Sequence, residues 1–155
     1  MMAWHRVVPV AGLALAALGC DALTGPSQTD RLAEAVLRWD TAAYPSYEFE
    51  MMRHCYCGLV DVGQRVTVTV VDNEVVSAKF TETDQPIEGD PLASLPTVPA
   101  LFAMIAGAIT QKAHRLDVSY HPVHGAPSSI SVDYRKNADD DELAVTIFEL
   151  RGPDA

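Results

Sequence analysis

Between Arg65 and Val71 the chain reads Val66-Thr67-Val68-Thr69-Val70, a strict apolar and polar alternation of β-branched residues. A period of two sends the valines to one face and the threonines to the other, so the segment can only be a strand with one side buried. Asp72-Asn73 follows at once. These residues tolerate the positive φ of a tight hairpin, which predicts a return strand over Val75 to Thr81. The pattern commits the domain to an antiparallel sheet with a core on one side.

The rest of the chain supplies what covers that side. From Asp30, the apolar positions Leu32, Ala35, Val36, Trp39 and Ala43 recur at helical spacing, and Pro45 ends the run. Tyr47, Phe49 and Met51 then alternate with Glu48 and Glu50 as a first strand. Residues 82–96 hold three prolines and no periodicity, and read as a surface loop. Thr97 is placed to cap a second helix with Pro99 in its first turn and Val98, Leu101, Phe102, Ile105 and Ile109 on its face. That helix is apolar on most sides, which predicts extensive burial. Three strands follow, Leu116 to His121, Ser129 to Tyr134 and Leu143 to Leu150. The fold class expected is therefore α+β, two helix-plus-three-strand halves forming one antiparallel sheet with the helices on one face.

Residues 1–19 have a different character. Arg6 precedes a charge-free run from Val7 to Gly19, the layout of an export signal and too short for the ~20 residues of a spanning helix. The run closes Leu15-Ala16-Ala17-Leu18-Gly19-Cys20, which resembles the lipobox of bacterial lipoproteins and marks Cys20 for acylation. Two acyl chains suffice for stable anchoring. Residues 20–29, with Gly25, Pro26 and Ser27, read as a lipidated tether with a reach of roughly 17 Å. The folded domain is assigned to residues 30–151, one core by length. This places the chain in the bacterial cell envelope, on the periplasmic or extracellular side, with the membrane as a partner through Cys20.

Net charge is −10, and removal of Arg6 with the signal makes the mature chain more acidic still. Such a surface is repelled by phosphate backbones, so nucleic acid is not an expected partner.

Trp39, Tyr44, Tyr47 and Cys55 begin a wider pattern. It continues with Asn73-Glu74-Val75-Val76, Pro96-Thr97 before Leu101-Phe102, Gly125-Ala126-Pro127 before Ile130, Asp133, and Asn137 followed by Asp140-Asp141-Glu142. Together these resemble a family of small bacterial lipoproteins and secreted proteins grouped as domain of unknown function family 6174. The resemblance spans Trp39 to Leu150 and implies a cellular address and a fold, but no mechanism.

Three clusters carry reactive groups. In His54-Cys55-Tyr56-Cys57, the two cysteines are the remaining thiols once Cys20 is acylated, in a compartment that favours disulfides. A local disulfide is expected, and it requires a bend, since residues two apart in a flat strand stand roughly 6.6 Å apart. The rival reading is thiol/disulfide exchange or soft-metal capture with His54 as third ligand. Asp133, Asn137, Asp140, Asp141 and Glu142 offer oxygen ligands but lack the spacing and glycine of a calcium loop, so a solvated turn is expected. His121 and His124 lie in a proline-containing loop with no fixed-spacing carboxylate or thiol. No nucleophile triad, phosphate loop or paired-carboxylate motif occurs, and no cofactor is implied. The expectation is a non-enzymatic module that binds another envelope protein or a small ligand.

Overall fold

The computed structural model describes residues 25–136 and 141–152. The signal segment, Cys20, Asn137 and Asp140 lie outside them. Helix α1 runs Gln28–Ala42, beginning two residues inside the stretch read as tether. Its start is set by a capping box: Ser27 Oγ accepts from the Asp30 N–H, and the Asp30 carboxylate accepts from the Ser27 N–H at 3.1 Å. Ala43 ends the helix in the left-handed region and sends its N–H back to the Trp39 carbonyl. Ala35 and Trp39 are its buried residues.

Strand β1 (Tyr47–Cys55) leads to the hairpin β2 (Val66–Val71) and β3 (Glu74–Phe80), with Asp72 and Asn73 both at positive φ. Residues 82–96 depart from the expected loop. They contain β4 (Pro86–Ile87), paired with β3, and the short helix α2 (Asp90–Ala93), and they bury Ile87 and Leu95. Elements of two and four residues are too short to carry a period, and β4 exists through its pairing with the edge of β3.

Helix α3 (Val98–Thr110) begins as expected, with Thr97 Oγ1 accepting from the Ala100 N–H at 3.2 Å. The orphan N–H of Val98 is met from afar, donating to Tyr47 Oη at 2.8 Å. Val98, Leu101, Phe102, Ile105 and Ala108 are buried, while Pro99, Ala100, Ala103 and Ala106 face solvent. Burial is thus confined to one side, because small alanines expose too little apolar surface to require cover. Strands β5 (Arg115–Tyr120), β6 (Pro127–Asp133) and β7 (Glu142–Arg151) complete an antiparallel sheet of order β4-β3-β2-β1-β7-β6-β5.

The sheet and both long helices share one core, which contains Trp39, Phe49, Met51, Val68, Leu101, Ile105, Ile130 and Val145. The two three-strand sets are present, but they are not symmetric copies. A rotation carrying β1, β2 and β3 onto β5, β6 and β7 keeps their lateral order and reverses strand direction, which turns the sheet over. It would put α3 on the face opposite α1. Instead the helices pack against each other.

Each edge of the sheet is partly covered, β3 by β4 at Ala78 and Lys79 and β5 by side chains of α1. Pro86 sits in β4, where its missing N–H removes a pairing donor. On β5, the carbonyls of Leu116 and Val118 accept from Gln28 Nε2 at 3.0 Å and Arg31 Nη2 at 2.7 Å, both from α1. No helix among the described residues is long and apolar enough to cross a membrane.

Candidate functional site

The C-terminal end of β1 distributes its side chains by the same alternation that built it. Tyr47, Phe49, Met51 and Arg53 point to the helix side, and His54 to the uncovered face. An arginine in that phase demands a partner. Asp61 supplies it: Arg53 Nη2 donates to Asp61 Oδ1 at 2.7 Å, Nε lies 2.6 Å from Oδ2, and both residues are buried. Arg53 also donates to the Ser94 carbonyl and hydroxyl. Neither member of this pair was singled out from sequence, because alternation stops at Arg53. The detectable signal was a charge standing where the inward phase required an apolar residue.

The turn that returns Asp61 contains Cys55 and Cys57, joined in a disulfide with Cα atoms 5.2 Å apart. The bend falls where expected, with Gly58 at φ +62 just after it. Farther on, the Gly63 N–H donates to the Arg53 carbonyl at 2.8 Å. The segment is thus tied at Arg53 by side chain and by backbone.

Two concavities flank this knuckle. One, of about 390 Å³, lies on the uncovered face, where His54, Arg115, Ser131, Asp133, Glu142 and Ala144 meet. The other, of about 290 Å³, lies on the helix side and includes Met51, Cys55, Cys57, Leu59, Met104 and Leu143. The fold therefore gathers His54, Asp133 and Glu142, which the sequence scatters over three strands. Cys55 lines both concavities, whereas Cys57 lines the helix-side one and His54 the other, so His54 shares a concavity with Cys55 and not with the pair. Asp133 pairs in register with Glu142 across β6 and β7, and Asp141 forms an ion pair with Arg135 at 2.7 Å. Among the described residues, no group of three or more His, Cys, Asp or Glu is placed to hold a metal ion.

The histidine loop lies apart from this end. His121 and His124 stack with ring centroids 3.8 Å apart, and Trp39 meets His124 edge-on. Each Nδ1 accepts a backbone N–H, from Val123 and Ala126 respectively. Burial, and secondarily the neighbouring His121, push the His124 pKa down to about 4.

A family model described as a family of unknown function, DUF6174, matches residues 31–152. The chain belongs to that family. The match runs from α1 through β7 and so takes in both concavities, the disulfide and the Arg53–Asp61 pair. No curated protein and no solved structure matches the chain. Membership in DUF6174 assigns no chemistry, and the functional reading rests on the geometry above.

Proposed function

We propose that this DUF6174 domain is a non-enzymatic binding module, held at the bacterial envelope by a lipid on Cys20, whose uncovered sheet face receives an envelope protein or small ligand. The observation that carries the reading is the asymmetry of the sheet. Helices cover one face, Pro86 and the α1 side chains obstruct part of each edge, and the other face presents the concavity around His54, Ser131 and Glu142. Those obstructions hinder strand addition over part of each edge, whereas the concavity on the face is open to a partner. Its side chains are of mixed sign, with Arg115 beside Asp133 and Glu142, and so suit a polar partner.

The test is site-specific photocrosslinking in envelope preparations, with the crosslinker at Ser131 on the face or at Ala103 on the outer side of α3. A discrete adduct at Ser131 that is absent at Ala103 is expected. No adduct at Ser131, or the same adduct at both positions, would overturn the reading.

A further inference from the structure

Sulfur is concentrated at one place in the fold. The helix-side concavity is walled by Met51, Cys55, Cys57 and Met104, and among the described residues Met52 is the one sulfur side chain outside it. Met104 comes from α3 and the other three from β1 and the turn after it, so tertiary packing alone assembles the set. Leu59, Leu143 and Val145 supply apolar wall, beside the charged side chains of Arg53, Asp141 and Glu142.

We propose that, once its disulfide is opened, this concavity binds Cu(I) through the thiolates of Cys55 and Cys57 and the thioether of Met104. Thiolate and thioether donors select soft monovalent copper over harder ions. Zinc prefers about four nitrogen, sulfur or carboxylate ligands. Asp141 and Glu142 also line the concavity, but carboxylates are hard donors that soft Cu(I) disfavours; among the described residues no group of three or more His, Cys, Asp or Glu is placed to hold a metal ion, and His54 does not line this concavity. The soft donors beside the two thiolates are therefore thioethers, and α3 supplies that of Met104.

The chemistry needs a dithiol reductant. One of its thiolates attacks a sulfur of the Cys55–Cys57 bond, giving a mixed disulfide, and its second thiol displaces that bond. Two electrons and two protons end on Cys55 and Cys57, and the reductant leaves as a disulfide. Cu(I) then replaces both thiol protons, which pass to solvent, and the metal does not change oxidation state. The Arg53–Asp61 pair does not depend on the sulfur–sulfur bond, so the turn stays fastened and the thiols remain at the concavity.

This goes beyond the open-face reading and does not rest on it. The experiment is anaerobic competition for Cu(I) between the dithiol-reduced protein and a chromophoric Cu(I) chelator, with thermal melts confirming that each variant is folded. One equivalent should be withdrawn from the chelator by the reduced wild type and none by the Cys55→Ser/Cys57→Ser variant. Met104→Leu, which keeps volume, should weaken binding by at least about tenfold, and His54→Gln should leave it unchanged. The proposal fails if the reduced wild type competes no better than the double serine variant. It fails equally if Met104→Leu binds like wild type, if His54→Gln weakens binding, or if Zn(II) is held more tightly than Cu(I).

Discussion

Arg53 and Asp61 are an ion pair whose worth lies in being complete. A buried guanidinium stripped of its carboxylate keeps its desolvation cost and loses its compensation, which typically costs about 3–5 kcal/mol, whereas an apolar replacement of both partners is often near neutral. Asp61→Ala should therefore lower the urea-unfolding free energy by about that amount, and Arg53→Met/Asp61→Leu should recover most of it. A loss below about 1 kcal/mol for Asp61→Ala would show the pair to be solvated in practice. His124 gives a second test at this scale. Its folded-state pKa of about 4 lies below that of an unfolded histidine, so between these values the unfolded chain binds more protons. Its contribution is fully present above about pH 6.5 and is lost as pH falls toward 4. His124→Gln should flatten the stability profile across that window in chemical denaturation at stepped pH. An unchanged slope would mean that this imidazole does not sense its burial against Trp39 and His121.

Elements show how much local signal survives packing. The β2–β3 hairpin, the Thr97 cap of α3 and the bend after β1 were legible because alternation, capping and turn chemistry are local. Residues 82–96 were not, since β4 exists through pairing with β3 and α2 has only four residues. The β5–β6 loop is a further case. Gly125, at φ +77, lies against α1 so closely that a Cβ there would stand 2.2 Å from the Ala35 carbonyl oxygen and 2.9 Å from Arg38 Cβ. A helix backbone cannot yield as a side-chain end can, and the left-handed φ adds its own cost of up to or above about 1 kcal/mol. Gly125→Ala should lower Tm by at least about 4 °C in a calorimetric or circular-dichroism melt. A melt within a degree of wild type would mean that the loop can lift from α1 without cost.

At the scale of the whole molecule, the tether and the sheet make separate claims. If Cys20 is acylated, wild-type protein partitions with membranes and its mature N-terminus carries a diacylglyceryl group, while Cys20→Ala remains an unlipidated precursor. Fractionation and mass spectrometry of both decide this. A water-soluble mature chain that begins elsewhere would refute the anchor and leave the binding face untouched. Within the domain, the sequence by itself determined the class: period-two and helical patterns are imposed residue by residue, so they named an antiparallel sheet with two helices and located the cysteine bend. Only the tertiary structure decided the order β4-β3-β2-β1-β7-β6-β5, because the β1–β7 pairing joins residues far apart in sequence that no local pattern relates. That pairing brings Glu142 to His54, and the packing of α3 brings Met104 to Cys55 and Cys57. It also fixed the partner of Arg53, since a buried charge announces that it needs a counterion without saying which one, and loop closure after the bend made it Asp61.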